Sequence, residues 1–177
     1  MLVYAGQGKP ALSTLDLNQL VQELTPLLGP SISKKARVQL DLQPGPLLLD
    51  GDPSQVQQIL MNLVINASEA LADRAGGITI RTRLETLAQG AIDALPGGQG
   101  LRPGLHVLLE VADTGGGMSP EVLKRVFDPF FSTKFTGRGL GLAAVHGIVR
   151  GHRGAIQVSS EPGVGSLFQV LFPASAK

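Results

Sequence analysis

The stretch MNLVINASEAL, residues 61–71, places two asparagines four positions apart in a run that is otherwise mostly apolar. Successive residues of a helix are turned by about 100°, so Asn62, Asn66 and Glu69 would share one stripe of an apolar helix. An amide moved out of water without a partner costs about 1–3 kcal/mol. The stripe is therefore either the solvated face of a core helix or the floor of a polar pocket. Asparagine is a mediocre helix former, which favours the pocket.

The composition around this stretch is that of a globular domain. The 177 residues are 43% hydrophobic and 16% charged, and the net charge is +1. With no cysteine, disulfides and thiolate metal sites are excluded. Lys and Arg form no basic stripe of the kind that binds nucleic acid, and no apolar run approaches the ~18 residues of a membrane helix. We expect a cytoplasmic domain without nucleic-acid or membrane contact of its own, although the full-length protein can still carry a membrane anchor elsewhere.

Hydrophobic periodicity predicts helices that alternate with strands. Asp16 and Asp52 are the expected N-caps of the first two helices, and Pro26 is expected to shorten or kink the first. The predicted helices cover residues 17–28, a long segment from residue 53, 119–127 and 139–152, and the predicted strands cover 37–42, 46–51, 77–87, 105–113, 155–160 and 166–173. The Gly- and Pro-rich segment 88–104 is expected to be a mobile hairpin insert. This order suggests a two-layer α/β sandwich with one helical layer on one mixed sheet.

Three glycine-rich stretches follow the asparagine helix along the chain: DTGGGM (113–118), GRGLGL (137–142) and GVGS (163–166). Each alone is a weak signal, because glycine clusters mark turns in most proteins. Together with the asparagine stripe and with FDPFFSTK (127–134), in this order and spacing, they resemble the ATP-binding catalytic domain of sensor histidine kinases. That family belongs to the gyrase, chaperone, kinase and mismatch-repair ATPase superfamily, and the likeness covers residues from about 16 to 173.

The resemblance implies a more specific architecture than periodicity does. It implies an α+β, two-layer α/β sandwich of the Bergerat type, in which a mixed, mostly antiparallel sheet of about five strands is covered on one face by about three helices. A mobile ATP lid completes this fold. The resemblance also implies that residues 1–15 are the end of a dimerisation helix and its linker, and that residues 16–177 are the ATP-binding catalytic domain.

ATP and Mg²⁺ are the cofactors that the resemblance implies. Asn66 matches the family's magnesium ligand, and Mg²⁺ usually takes only one or two ligands from protein while water and phosphate oxygens supply the others. Asn62 would bind the same hydrated cluster through water. Asp113 matches the residue that accepts a hydrogen bond from the adenine amine. Guanine presents an acceptor at that place, so ATP should be preferred to GTP.

The remaining implied contacts lie in the glycine stretches and the lid. Gly115 and Gly117 would let the backbone approach the base because no Cβ intervenes, and Met118 completes this segment. Gly163 and Gly165 are expected to shape the pocket wall. Backbone N–H groups just before a helix suit phosphate, which the lid segment would bind. The residues that the resemblance assigns to nucleotide binding there are Lys134, Gly137, Arg138, Gly139, Leu140, Gly141 and Leu142.

One substitution relative to the superfamily points away from ATP hydrolysis. Members that hydrolyse ATP carry a glutamate as base four residues before the magnesium asparagine, where this chain has Asn62. An amide cannot accept a proton at neutral pH, so the triphosphate should be held for another nucleophile. Asn62, Lys134 and Arg138 would then act by positioning and charge stabilisation. The implied partners are a dimerisation domain that bears the acceptor histidine, within a homodimeric full-length protein, and a response-regulator receiver domain.

The histidines of this chain do not match the acceptor pattern. None of His106, His146 and His152 is followed by an acidic residue, and His152 is expected near a helix end that tolerates a cation. We therefore expect the chain alone to bind ATP and to phosphorylate nothing. Glu69 stands where other branches of the family place a basic residue. Glu69 has two possible roles: it forms an ion pair with Arg138, or it binds the water shell of the metal.

Two other functions share part of this pattern. GLGLAA (139–144) fits the G-x-G-x-x-A dinucleotide fingerprint, with Glu161 about 20 residues later, which would indicate a nicotinamide oxidoreductase. That fingerprint requires a strand just before the first glycine, whereas FSTKFTGR (131–138) is polar and does not alternate. A non-catalytic nucleotide-sensing module would share the pocket and act through binding alone.

Overall fold

The asparagine stretch lies on the longest helix of the described chain, which crosses one face of a β-sheet. The structure is a computed structural model that describes residues 12–128 and 141–176. Its elements are β1 (Ser13–Asp16), α1 (Leu17–Leu24), β2 (Ala36–Leu42), β3 (Leu48–Gly51), α2 (Pro53–Leu71), β4 (Gly76–Leu87), α3 (Gln89–Asp93), β5 (Gly104–Asp113), α4 (Pro120–Arg125), α5 (Gly141–Gly151), β6 (Ala155–Glu161) and β7 (Gly165–Pro173).

Five of the strands form one mixed sheet in the order β2-β4-β5-β7-β6. β2 runs parallel to β4, and the other three pairs are antiparallel. This sheet and its helical layer confirm the predicted α+β sandwich. β1 and β3 form a separate two-stranded antiparallel sheet. Ser13–Asp16 thus pair with the domain, while the predicted domain boundary after residue 15 stays a prediction.

The core lies between the large sheet and helices α1, α2 and α5. Alternate residues of the strands face the helices, because side chains of a strand point to opposite faces in turn. Full burial of each such aliphatic or aromatic side chain is worth about 1.5–3 kcal/mol. The fully buried residues on the sheet side of this core include Ile78, Ile80, Val107, Leu109, Phe168, Val170 and Phe172, and those on α2 include Val56, Ile59, Leu60, Leu63 and Val64.

The two predicted N-caps are both formed. The Asp16 carboxylate accepts a hydrogen bond from Asn18 N–H over 3.0 Å, and the Asp52 carboxylate accepts one from Ser54 N–H over 3.0 Å. Each satisfies a backbone donor that has no partner within its own helix. α1 ends at Leu24 and continues only as a 3₁₀ turn that contains Pro26, so the first helix is shorter than residues 17–28.

The connection between β4 and β5 closes the predicted hairpin and is folded, while its mobility stays a prediction. It contains α3 and a 3₁₀ turn, and it buries Ile92 and Leu101. These side chains pack against Leu108 and Leu171 on the sheet face that is remote from the main helices. A high Gly and Pro content therefore marks turns here, while a few apolar residues attach the segment to the sheet.

The rest of that outer face carries a row of polar side chains, one from each strand of the sheet. Arg81 donates to Asp41 over 2.9 Å and to Glu110 over 3.1 Å. Gln169 donates to Glu110 over 2.6 Å and accepts from Gln157 over 3.1 Å. The Arg81 guanidinium is the main group that lowers the pKa of Asp41 below its ordinary value. Polar bonds thus join all five strands where no helix covers them.

Candidate functional site

One face of α2 connects two of the glycine stretches. Asn62, Asn66 and Ala70 repeat every four residues and so share this face. Asn62 Nδ2 donates a hydrogen bond to the Gly141 carbonyl over 3.2 Å. The Ala70 carbonyl accepts one from Gly116 N–H over 3.2 Å. Asn66 therefore lies one helical turn from each of the two contacts, between the glycine stretches.

The Asn66 side chain is half-buried at this position. Within residues 12–128 and 141–176, its amide forms no hydrogen bond, whereas the Asn62 amide does. The asparagine stripe is therefore more than a solvated helix face. An amide oxygen at the centre of the face is available to a ligand, and a neighbouring amide is engaged with the protein.

Asp113 ends the central strand β5 and is only 7% exposed. Its Oδ1 accepts a hydrogen bond from Gly115 N–H over 2.8 Å, so the turn after the strand orients the carboxylate. Across the sheet, Asp113 is paired with Ser166 of β7. A buried carboxylate held in this way can accept a hydrogen bond from a ligand that enters the cleft.

Two predicted site glycines pack against protein backbone. A Cβ on Gly115 would come within 2.6 Å of the Ala70 carbonyl oxygen. Gly117 has φ +72°, and a Cβ there would overlap the Glu161 carbonyl oxygen. The sequence suggested that these glycines let the backbone approach a base. In the structure, both let two chain segments approach each other, while their contact with a nucleotide stays a prediction.

The turn between β6 and β7 forms the wall that Gly163 and Gly165 were expected to shape. Gly163 N–H donates to the Gly116 carbonyl over 2.7 Å. A Cβ on Gly165, whose φ is +144°, would overlap the Asp113 carbonyl oxygen. Both contacts attach this turn to the 113–117 segment. An open cavity of about 410 Å³ beside the turn is lined by Asp113, Ser160, Glu161 and Ser166, among others.

Sequence reasoning missed Ser160, which helps to hold the first glycine stretch. Ser160 Oγ accepts a hydrogen bond from Met118 N–H over 2.7 Å and lies 2.8 Å from Ser166 Oγ. A signal was present in the alternation of β6. Ile156 and Val158 face the core, and Ser160 is a polar residue at the next position of the same face.

The core-facing side of α5 meets the segment that precedes the second glycine stretch. The His146 ring lies 5.3 Å from the Phe127 ring, with 32° between the ring planes. Burial is the main cause that lowers the pKa of His146, and the charge of Arg150 lowers it further. Leu142 packs on the core nearby. His146 is therefore part of the packing between α5 and Phe127.

Several of the predicted site residues lie outside the part of the chain that the structure describes. They are Lys134, Gly137, Arg138, Gly139 and Leu140. Their phosphate-binding roles stay predictions, as does the suggested ion pair between Glu69 and Arg138. The described residues bring together Asn62, Asn66, Asp113, Gly115, Gly117, Met118, Gly141 and Leu142 around α2 and the end of β5.

Two further observations concern the described residues 12–128 and 141–176. Among them, no three His, Asp or Glu side chains are grouped so as to hold a metal ion without other ligands. No helix in these ranges has the length and apolar character of a membrane span.

The topology around α5 argues against the dinucleotide fingerprint. In a dinucleotide-binding unit, the helix after the glycines leads into a strand that is parallel to the strand before them. Here α5 leads into β6, which is antiparallel to its neighbour β7 at the edge of the sheet. Glu161 lies beside Gly117 in the turn that follows, where its carbonyl packs on the glycine.

Comparison with known sequences gives a family match over most of the chain. The profile of the family described as "Histidine kinase-, DNA gyrase B-, and HSP90-like ATPase" matches residues 51–176. Over 165 residues, the chain is 34% identical to the sensor histidine kinase ZraS of Klebsiella oxytoca. This match covers 93% of the chain and 32% of ZraS, so the chain spans about a third of the length of that relative.

Solved structures share the fold. The nucleotide-free catalytic domain of the histidine kinase ThkA matches with a TM-score of 0.71 at 26% identity, over 92% of this chain and 95% of that one. Full-length ShkA in complex with AMPPNP matches with a TM-score of 0.74 at 27% identity, over 97% of this chain and 33% of ShkA. The five-stranded sandwich is thus the fold of a histidine kinase catalytic domain.

Proposed function

Since this chain belongs to the family of histidine kinase-, DNA gyrase B- and HSP90-like ATPases, we propose that it binds ATP beside α2 and presents the γ-phosphoryl group to a histidine. Its relatives are sensor histidine kinases, and it is an ATP-binding catalytic domain of that type. The observation that supports this site is the position of Asn66 between the two glycine stretches. The crystal structure of full-length ShkA, which shares the fold, contains the ATP analogue AMPPNP.

Adenine would be recognised at the end of β5. Asp113 is buried, and its carboxylate is oriented by Gly115 N–H. A carboxylate accepts a hydrogen from the adenine amine and repels the carbonyl oxygen that guanine has in the same place. Sites that leave a buried polar group unpaired can discriminate by about 10⁴-fold. The adenine would thus lie against Asp113, with its phosphates extending along α2 toward Gly141.

Mg²⁺ fits the residues of this face. Magnesium prefers oxygen ligands and usually retains several waters, so one protein ligand together with phosphate oxygens is sufficient. The half-buried Asn66 amide supplies such an oxygen, and no hydrogen bond within the described chain occupies it. When bound, Mg²⁺ would neutralise charge on the phosphates. Asn66 would hold it, and Asn62 would contact its water shell.

Asn62 supports phosphoryl transfer to a nucleophile other than water. Its amide cannot take a proton from water, and its Nδ2 is already bonded to the Gly141 carbonyl. Phosphoryl transfer depends mainly on positioning and charge stabilisation. Asn62 therefore orients the start of α5 beside the phosphates, and Lys134 and Arg138 are the proposed phosphate contacts. Water is left without a base at position 62, where members that hydrolyse ATP carry a glutamate.

The partners belong to the same proposal. The acceptor histidine would lie on a dimerisation domain, within the same chain or its partner, in a homodimeric full-length protein. The phosphoryl group would then pass to an aspartate of a response-regulator receiver domain. We place these steps in the cytoplasm. A non-catalytic nucleotide sensor would bind ATP equally well, so phosphohistidine formation by the full-length protein separates it from a kinase.

Calorimetry of the purified chain with ATP, GTP and NAD, each with and without Mg²⁺, tests the proposed ligand. ATP should bind with Mg²⁺, and GTP should bind at least about 100-fold more weakly because of Asp113. NAD should give no heat of binding. Equal binding of ATP and GTP would contradict the role of Asp113, and tight binding of NAD would restore the dinucleotide alternative.

A further inference from the structure

His152 is a buried titratable residue that the proposed phosphoryl transfer does not use. It follows α5 directly and is only 6% exposed. Its Nδ1 lies 2.8 Å from the Ile148 carbonyl, and its Nε2 lies 3.0 Å from the backbone nitrogen of Asp52. Its ring meets the Phe172 ring edge-on, with 5.9 Å between centroids. His152 thus bridges the end of α5 and the beginning of α2.

These two bonds determine which ring nitrogen of His152 carries the proton. The backbone N–H of Asp52 can only donate, so Nε2 must accept and carries no proton. The Ile148 carbonyl can only accept, so Nδ1 must carry the proton. The bridge therefore requires a neutral imidazole protonated on Nδ1. The sequence suggested that His152 lies at a helix end that tolerates a cation, whereas the two observed bonds require the neutral ring.

The space beside His152 is closely filled. A Cβ on Gly51 would lie 3.0 Å from His152 Cδ2, so the glycine lets the ring reach the N-terminus of α2. The contact joins residues that are 100 positions apart in the chain.

The far end of α5 is attached to α2 as well. Asn62 Nδ2 donates to the Gly141 carbonyl at the first residue of α5. α5 and α2 also pack along each other between these points. A polar bond therefore fastens α5 to α2 at each end. The bond at the Gly141 end lies next to the proposed phosphate site, and the bond at the His152 end lies outside it.

We propose that His152 is a positioning residue that holds α5 in register with α2, and so keeps Gly141 beside Asn62 and Asn66. The residue acts through the helices and does not touch the nucleotide. The second glycine stretch leads directly into α5, so a shift of α5 along α2 would move Gly141 away from Asn62. The effect on nucleotide affinity rests on the proposed function, whereas the bridge itself does not.

The bridge is tested first without nucleotide. Two-bond ¹H–¹⁵N correlation spectra of histidine-labelled protein distinguish the two neutral tautomers and the cation. We expect His152 to show a protonated Nδ1 and an unprotonated Nε2 at neutral pH. A protonated Nε2 would overturn the proposal whether or not the protein binds ATP.

Two amide variants then separate the two bonds of the ring. His152→Gln places an acceptor near the position of Nε2 and so can keep the bond from Asp52 N–H. His152→Asn places a donor near the position of Nδ1 and so can keep only the bond to the Ile148 carbonyl. Both lose the ring contact with Phe172, so their melting temperatures should fall similarly. Only His152→Asn should shift the Asn62 side-chain amide resonance. The affinity of His152→Asn for Mg-ATP should be about threefold to tenfold below that of His152→Gln, because one hydrogen bond contributes a free energy of that size.

Phe172→Leu serves as the matched packing control, because it removes the ring contact and leaves both hydrogen bonds of His152. It should lower the melting temperature and leave the Asn62 resonance and the affinity unchanged. If affinity instead follows the melting temperature across all three variants, His152 is merely structural and the proposal fails. If the wild-type chain binds no ATP, the proposed function fails, and the Asn62 resonance still decides the bridge.

Discussion

At the scale of single residues, the site depends on which polar groups are engaged with the protein and which are available. Asn62 and Asn66 have the same side chain and lie on the same face of α2, yet only the Asn62 amide is bonded to a glycine carbonyl within the described chain. Asp113 is likewise oriented by one backbone donor. Residues of one type can therefore have different roles, which substitution can separate.

Replacing Asn66 with Ala should remove the magnesium dependence of ATP binding. Even outer-shell partners of a metal are worth about 10–100-fold in affinity, so the loss of a direct ligand should exceed about tenfold. Titration calorimetry with and without Mg²⁺ measures this change. Gln57→Ala, at an exposed position on the opposite side of α2, is the control and should bind as the wild type does. Unchanged affinity in the Asn66 variant would remove this residue from the site.

Asp113→Asn should weaken ATP binding without loss of the fold. The amide oxygen can still accept from Gly115 N–H, while the second oxygen is replaced by a donor that faces the adenine amine. Hydrogen bonds to charged groups are worth about 1.5–3 kcal/mol, so affinity should fall by about tenfold to a hundredfold. Calorimetry gives the affinity, and thermal melting without nucleotide gives the stability. A variant that binds ATP normally would exclude adenine recognition by this carboxylate.

At the scale of elements, the end of α5 carries a backbone strain that the site does not need. Arg153 has φ +62°, in the left-handed region where a side chain is unfavourable. It is the first residue beyond the helix cap in a Schellman arrangement, in which Gly154 N–H donates to the Val149 carbonyl over 3.0 Å. Glycine is the usual residue at the position of Arg153.

Arg153→Gly should therefore raise the free energy of unfolding by about 1 kcal/mol, because glycine adopts this conformation without the penalty of a Cβ. Gly154→Ala should act in the opposite direction, since a Cβ there would overlap the Leu171 carbonyl oxygen. Urea denaturation of both variants measures the two changes. A destabilised Arg153→Gly would show that the arginine side chain makes a contribution larger than the strain.

The outer face of the sheet depends on Arg81 more than on its neighbour Arg83. Arg81 bonds the buried Glu110, whereas the carboxylate that Arg83 bonds belongs to the half-exposed Asp41. Arg81→Met should lower the free energy of unfolding by about 1–3 kcal/mol, because it removes a partner of a buried carboxylate. Arg83→Met is the matched control and should cost less, since exposed ion pairs contribute little. Equal urea midpoints would contradict this assignment.

At the scale of the whole molecule, the histidines of the chain are all engaged in packing. His106 is 2% exposed, His152 is 6% exposed, and the ring of His146 lies against Phe127. An acceptor histidine must present a free nitrogen to the γ-phosphate of a bound nucleotide. The buried imidazoles of this domain are poorly suited to that task, in agreement with an acceptor on another domain.

The purified chain should therefore bind Mg-ATP and acquire no phosphohistidine. Incubation with γ-labelled ATP, followed by separation of acid-labile from acid-stable label, measures this directly. The full-length protein is the comparison and should form acid-labile phosphohistidine. Label on the isolated chain would show that one of its own histidines is accessible in solution, and would contradict the expected division between the two domains.

Most of the helices and strands could be predicted from the sequence, while the roles of the predicted site residues stay predictions. Asp16 and Asp52 cap helices through bonds to residues two or three positions away, and the alternation in β4 reports which face is buried. Such signals are local, so a sequence contains them in full. The helix within 88–104 and its packing could not be predicted, because burial of Ile92 and Leu101 depends on strands outside this segment.

The sequence by itself thus determined the sandwich, the asparagine stripe and the position of a carboxylate at the end of β5. Only the tertiary structure decided that Gly115 and Gly117 face protein backbone, that β1 pairs with β3, and that His152 reaches the start of α2. The physical reason is distance along the chain. Periodicity and capping act within one or two helical turns, whereas these contacts join segments whose approach is set by how the layers pack.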